Sequence, residues 1–183
     1  MIKAQDTQEI VARRYAKAFI NVFGNTMTID ELHAIKAFEQ FVNEHKRLLV
    51  FFMLSQIDDA TKQQQLDAML DSFKLKKLFH PLSQLLLKSK RVFLLPRILK
   101  QIAVLYKQAK KIIECTITSS HELNAQALST IQNFLARKTG CAIIYTNRVD
   151  KNLIAGLRLQ GDTVLWEYSI RKQLRQVALA RTH

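Results

Sequence analysis

Gly156-Leu-Arg-Leu-Gln-Gly161-Asp-Thr163 has the glycine spacing of a phosphate-cradling loop, GxxxxGK[ST]. In such a loop a lysine meets the phosphates; here Asp162 holds that position and puts negative charge where they would lie. The segment also runs into a strand pattern rather than a helix, so a hairpin turn is the better reading. Ser120, His121 and Glu122 are the residue types of a nucleophile, a base and an orienting carboxylate. Neighbours on a starting helix point in different directions, however, and Ser119-Ser-His-Glu122 reads as a capping box. Asp58-Asp59 suits a helix start better than a shared-proton carboxylate pair. His33, His45, His80 and His183 have no spaced partners, and Cys115 and Cys141 form no CxxC, so no metal centre is expected. The two cysteines read as buried free thiols of a reducing compartment. No catalytic residue, metal or cofactor is expected: the chain reads as a non-enzyme.

Charge is the strongest compositional signal. The chain of 183 residues has a net charge of +13. Residues 1–111 hold 19 Lys/Arg against 10 Asp/Glu, and residues 112–183 hold 9 against 5. Between Ser72 and Ile113 there is no acid, yet eleven bases occur from Lys74 to Lys111. Such a run suits an anionic neighbour: nucleic acid, anionic lipid or an acidic protein surface. Apolar residues make up 48%, which excludes disorder and supports a packed core. The densest apolar run, Leu48 to Leu54, falls far short of the roughly 20 residues of a membrane span. The N-terminus does not have the pattern of a signal or transit peptide, so the chain is expected to stay where it is made.

The elements that must position these residues follow from periodicity. Asp6-Thr-Gln-Glu9 has capping-box spacing ahead of Val11, Tyr15, Ala18, Phe19 and Val22, with Gly24 as the stop. Thr28-Ile-Asp-Glu31 opens a second helix with Leu32, Ile35, Phe38 and Val42 on one face. Leu48 to Leu54 predicts a short buried helix. Asp58 or Asp59 caps a fourth that points Leu66, Met69, Leu70 and Phe73 inward. A fifth is expected from about Lys77 to Ser89 with a Leu78, Leu82, Leu85, Leu86 stripe and Pro81 in its first turn. After a break at Ser89-Lys-Arg91, Pro96 starts a sixth with Ile98, Ile102, Leu105 and Ala109.

Beyond Lys111 the period falls to two. Ile113, Cys115 and Ile117 predict a strand, Leu128, Ile131, Phe134 and Leu135 a helix ended by Gly140, and Ala142 to Tyr145 another strand. Leu157 and Leu159 alternate on a third strand, Gly161-Asp162 turns, and Val164 to Trp166 returns. Ser169 caps a closing helix, Ile170 to Ala180. Leu153, Leu157, Leu159 and Trp166 are expected to pack against the Leu128/Ile131/Phe134/Leu135 face. The fold class is therefore mainly α with a small α/β part. A six-helix bundle over 1–111 precedes a small domain over 112–183 with a few-stranded sheet and two helices.

Three segments together resemble the delta subunit of bacterial rotary ATP synthase, called the oligomycin-sensitivity-conferring protein in mitochondria. Ala12-Arg-Arg-Tyr-Ala-Lys-Ala-Phe19 is close to that family's A-R-x-Y-A-x-A-L-F pattern. Leu85-Leu-Leu-Lys-Ser-Lys-Arg91 with Leu95-Pro-Arg-Ile98 is similar to its LL…N-x-R…L…I passage. Asp150 to Leu174 resembles D-x-x-L-I-G-G…G-D…D-x-S-V-R-x-x-L, with Ala155, Glu167 and Lys172 as departures.

The resemblance implies a non-catalytic stator at the top of the peripheral stalk, on the cytoplasmic face of the bacterial membrane. It implies a first domain holding an alpha-subunit N-terminal segment of the catalytic head, and a second holding the b-type stalk subunit. It also implies a head groove on the first and fifth helices, which here means Tyr15, Ala18, Phe19 and Val22 facing Leu82, Leu85 and Leu86. One copy is expected within a hetero-oligomeric complex, with no membrane span of its own and no nucleic acid. The alternative, from charge, is a basic helical adaptor binding RNA or another polyanion; aromatics are sparse in the basic run, which weighs against it.

Overall fold

The computed structural model describes residues 2–161 and 165–172. The chain divides into two compact units, Met1–Ala109 and Lys110–His183.

Six helices build the first unit: α1 (Ile2–Phe23), α2 (Ile29–Glu44), α3 (Lys46–Met53), α4 (Asp59–Ser72), α5 (Lys76–Lys88) and α6 (Leu95–Ala109). Thr28 closes a complete capping box on α2: its hydroxyl accepts from the Glu31 amide while the Glu31 carboxylate accepts from the Thr28 amide at 2.7 Å. Asp58 caps α4, its carboxylate accepting from the Thr61 amide at 2.8 Å. Leu32, Ile35, Phe38 and Val42 are all buried, as their spacing predicts. They meet a core from α6 in which Leu95, Leu99, Ala103 and Tyr106 join the expected Ile98 and Ile102; Leu105 is half-buried and Ala109 exposed. The Tyr106 hydroxyl donates to the Met27 carbonyl at 2.7 Å and ties α6 to the α1–α2 turn.

Three helix ends explain why so little glycine is needed. Lys74, Lys90 and Lys111 follow α4, α5 and α6 with φ of 58°, 55° and 51°. This is the left-handed position that glycine usually fills after a helix. At Lys74 the amide donates to Asp71 O, and the next amide, of Leu75, to Leu70 O; Lys90 and Arg91 repeat the pattern on Leu87 O and Leu86 O. Gly24 is present for a different reason: a Cβ there would lie 2.5 Å from the Ile20 carbonyl oxygen.

Four expectations are corrected in this unit. The first helix begins at Ile2, so Asp6 and Glu9 lie inside it and cap nothing. The apolar third helix buries Phe52 but leaves Val50, Met53 and Leu54 exposed. Apolar composition all round did not mean cover all round. Pro81 is the sixth residue of α5, beyond the first turn, because that helix starts at Lys76. On the fourth helix Leu66 and Leu70 are buried, while Met69 and Phe73 reach only half-burial.

The second unit has β1 (Ile112–Ser119), α7 (Ala125–Thr139), β2 (Ala142–Val149), β3 (Gly156–Gly161) and β4 (Leu165–Ser169) in a sheet of order β2-β1-β3-β4. The β1·β2 pair is parallel and needs a crossover, which α7 supplies; β3 runs antiparallel to both β1 and β4. Cys115, Ile117, Ile143 and Leu159 form one core with Leu135 of α7, and Leu128, Ile131 and Leu157 pack at its margin. Gln132 donates to the Ile143 carbonyl at 2.9 Å and fixes the helix on the sheet.

Asn124, not the Ser119-to-Glu122 box, caps α7: Ser119 ends β1, and its hydroxyl donates to the His121 carbonyl instead. Phe134 and Trp166 are about half exposed rather than anchors, while Leu153 is fully buried. Ser169 caps the chain that follows, its hydroxyl accepting from the Lys172 amide at 3.1 Å. The turn residue Asp162, the start of the returning strand at Val164 and most of the Ile170–Ala180 helix lie outside the described residues.

Candidate functional site

The chemistry-bearing residues resolve into structural roles. Gly156 to Gly161 is itself strand β3, so its glycine spacing makes no phosphate loop. Ser120 Oγ lies 3.0 Å from His121 Nδ1, an exposed contact between neighbours. His80 does have partners: its Nδ1 meets the Asp67 carboxylate at 3.0 Å and its Nε2 meets the Gln84 amide nitrogen at 3.0 Å. Gln63 bridges Asp67 and Ser83, and the Ser83 hydroxyl donates to the His80 carbonyl. Both imidazole nitrogens and the serine are thus committed, and the cluster clamps α4 to α5 without a nucleophile facing the ring. Among the described residues no group of His, Cys, Asp and Glu could hold a metal ion. Cys115 is buried and free, burial pushing its thiol pKa up, and Cys141 is free and half-buried.

The apolar seam between α1 and α5 is the better candidate. α1 packs chiefly along α6, and α5 chiefly along α4. The two meet where the Phe19 and Phe79 rings approach, centroids 4.7 Å apart. Phe23 adds a second ring 5.1 Å from Phe19.

The seven residues expected to line a groove here divide into two sets. Phe19, Leu82 and Leu86 are buried, and of these Phe19 meets α5 through the Phe79 ring. Val22 is 68% exposed, Leu85 is 50% exposed, and Ala18 is also open. Tyr15 lies between, half-buried, its hydroxyl accepting from Arg91 Nη1 at 3.3 Å. Spacing explains the division: Ala18 and Val22 are one turn apart on α1, beside but not on the Phe19 line. Phe79 and Arg91 were missed. Phe79 stands three and seven residues before Leu82 and Leu86, on their buried line, so the helical period could have found it; Arg91 reads as part of a helix break.

Near the Tyr15–Arg91 contact, Thr7, Gln8 and Val11 of α1 and Arg91, Phe93 and Leu94 line a shallow depression open to solvent. Isolated apolar side chains on a surface mean little, but here they flank a buried aromatic pair, with a shallow depression and a cation nearby. That arrangement suits the apolar face of an amphipathic helix.

The second unit exposes Val149, Ile154 and Ile170. Ile154 has φ 67° and ψ −62°, and the Ala155 amide donates to the Leu153 carbonyl at 2.8 Å across it. This is the strained γ-turn form, unusual for a β-branched residue. On the sheet, Arg158 forks onto the Glu167 carboxylate at 3.2 and 3.3 Å, and Ser169 donates to the same carboxylate at 2.7 Å. Those contacts, Ser169 first and then Arg158, hold the Glu167 carboxyl below its usual pKa.

The family model described as ATP synthase delta (OSCP) subunit matches residues 11–180. Among curated relatives, an ATP synthase subunit delta from Pelodictyon phaeoclathratiforme is 30% identical over 92% of this chain and 94% of its own length. One from Lactobacillus johnsonii is 28% identical over 93% and 94%, and one from Citrifermentans bemidjiense 24% identical over 91% and 93%. Among solved structures, a chain of the Toxoplasma gondii mitochondrial ATP synthase hexamer shares the fold with a TM-score of 0.58 at 16% identity, covering 94% of this chain and 97% of that one.

Proposed function

The chain belongs to the ATP synthase delta (OSCP) subunit family, and on that premise we propose how it works as a non-catalytic peripheral-stalk subunit of a rotary ATP synthase. The first unit grips the catalytic head by taking an N-terminal segment of the alpha subunit into the α1/α5 seam. The second unit takes the b-type stalk subunit. One copy serves one complex, peripherally, at the cytoplasmic face of the membrane. None of the helices among the described residues is long and apolar enough to cross a membrane.

The physical task is to resist torque. A head free to turn with the rotor would dissipate the energy of ion flow, so each end of the linker must hold its partner against rotation. The observation that carries the head-binding part is the seam itself: Val22 and Leu85 stand open beside the buried Phe19–Phe79 floor. An amphipathic helix laid there would cover them and complete the apolar surface. The +13 charge then belongs to a stator's surface and calls for no nucleic-acid partner.

Ala18→Trp tests this reading. Ala18 is exposed, so an indole there obstructs the seam at little cost to the core. Membranes carrying the variant should hydrolyse ATP normally but pump ions poorly, with the free subunit's melting temperature unchanged. Normal pumping together with undiminished head binding would show that the seam is not the head site.

A further inference from the structure

In the second unit the chain crosses one end of the sheet in a conformation its residues do not favour. β2 ends at Val149, a short 3-10 turn, Lys151–Leu153, carries the chain past the end of β1, and β3 starts at Gly156. The join is anchored from within: Leu153 is fully buried, the Asp150 amide donates to the Ser119 carbonyl at 2.8 Å, and the Ile170 amide donates to the Ala155 carbonyl at 3.0 Å. Between these anchors Ile154 is 60% exposed, at φ 67° and ψ −62°. Glycine takes such a turn freely, whereas a β-branched residue takes it only under strain. The fold thus keeps an aliphatic side chain in solvent where glycine would serve the turn better.

Two more aliphatic side chains stand open at the same end of the sheet, Val149 and Ile170. Scattered apolar side chains are ordinary on a surface. These three are joined by register: Val149 pairs with Ser119, Ser119 with Leu157, and the adjoining Gly156 with Ser169. Cations accompany them. Arg148, Lys151 and Arg171 are exposed, and none makes an ion pair among the described residues. The acids at this end are already committed: Asp150 accepts from the Asn152 amide at 2.9 Å, and Glu167 accepts from Arg158 and Ser169.

We propose that this end of the sheet is the surface on which the second unit takes the stalk subunit, and that it receives an acidic amphipathic helix. Aliphatic side chains of that helix would cover Val149, Ile154 and Ile170, and its carboxylates would meet Arg148, Lys151 and Arg171. The inference rests on the reading of the second unit as the stalk-holding one. Charge complementarity selects the occupant. A second copy of this chain would set unpaired cations against unpaired cations. A nucleic acid would find no exposed ring to stack on among Val149, Ile154 and Ile170. The γ-turn holds Ile154 outward before binding, so little ordering is left to oppose association.

The experiment binds the full chain, at low salt, to membranes stripped of the catalytic head and of this subunit, and follows the sedimenting fraction against protein concentration. The parent should saturate, and stripped membranes lacking the b-type subunit should bind none. Ile154→Gly removes the side chain but suits the turn. It should bind about tenfold more weakly, as for loss of an interface anchor, while its second unit, followed by Trp166 fluorescence, melts no lower than the parent's. Lys151→Glu should also bind more weakly, with the gap from the parent narrowing as salt is raised. Lys88→Glu, an exposed reversal in the first unit, should bind as the parent does. Parent-like binding by Ile154→Gly or by Lys151→Glu, with stalk-free membranes binding none, would place the stalk subunit elsewhere on the chain and overturn this inference alone. Binding that persists without the b-type subunit would overturn the stalk reading and this inference together. So would equal binding to protein-free vesicles of phosphatidylglycerol and phosphatidylethanolamine, which would make the occupant a lipid surface.

Discussion

Replacing Lys74 by glycine should strengthen the helical unit, although the change removes a charge and every side-chain atom. Lys74 holds φ 58° after α4, with its own amide on Asp71 O and the Leu75 amide on Leu70 O. Leu70 and Leu75 are both buried, so the loop cannot relax out of the left-handed region without exposing a core residue. A Cβ in that region costs about 1–2 kcal/mol. Glycine's larger loss of backbone freedom on folding takes back about 0.5–1 kcal/mol. A lysine near a helix C-terminus also gains a few tenths of a kcal/mol from the helix dipole, which any neutral residue forgoes. Lys74→Ala is therefore the proper reference, since it loses the same charge but keeps the Cβ. Glycine should exceed alanine by roughly 0.5–1 kcal/mol, or about 3–6 °C in melting temperature for a unit of this size. Far-UV circular dichroism of the full chain follows the helices, and fluorescence of Trp166 on β4 follows the second unit separately. Glycine no more stable than alanine, or a shift seen only in the Trp166 signal, would refute the reasoning.

Two further outcomes concern the sheet. Glu167 has its carboxyl held below the ordinary value of 4.5, chiefly by the Ser169 hydroxyl and next by Arg158, so its contribution is complete above that value and is lost as pH falls through the lowered one. Acid titration of the second unit should therefore show a destabilisation below pH 4.5 that is reduced in Glu167→Gln, which should also be less stable at neutral pH. Gly161→Ala would place a Cβ 2.6 Å from the Glu114 carbonyl oxygen across the β1·β3 ladder. It should cost the second unit about 1–3 kcal/mol in urea denaturation followed by Trp166, because backbone must move to admit the methyl group.

Periodicity made the elements legible wherever one face alone is buried. The Leu32/Ile35/Phe38/Val42 stripe and the Ile113/Cys115/Ile117 alternation both predicted their elements because the polar face broke the pattern. The Thr28 box was legible for a local reason: its donors and acceptors are four consecutive residues, independent of what packs nearby. Helix ends were less so. Glycine is the expected terminator, and lysine stands in that place three times, at a conformation that composition does not reveal. The Ser119 box failed because β1 claimed its first residue: pairing with Leu157 and Val149 outweighed a cap. Trp166 pairs with Leu159 and yet stays half exposed, since β4 lies at the edge of the sheet.

A docking surface is harder to read than a core because both use the same side chains. Val11, Tyr15, Phe19 and Val22 share a helical period, and nothing in that period says which of them another helix has already covered. Phe19 is covered by Phe79, a residue 60 positions away, while Val22 one turn on is open. On α5 the division falls between adjacent leucines, Leu85 exposed and Leu86 fully buried. A turn of about 100° per residue carries one to solvent and the other to the core. Sequence alone can place both on an apolar arc but cannot set the arc's angle against α1, α4 and α6. That angle depends on long-range contacts such as the Tyr106 hydroxyl on Met27 and the Gln63 bridge between Asp67 and Ser83. These tie α6 to the α1–α2 turn and α4 to α5, and act with the buried core on how the helices are rotated. Rotating α5 by one residue would bury Leu85, expose Leu86 and erase the floor of the seam. If the seam binds the head as proposed, its shape is supported by polar contacts that lie outside it, and loosening those contacts should weaken the seam before it unfolds the bundle.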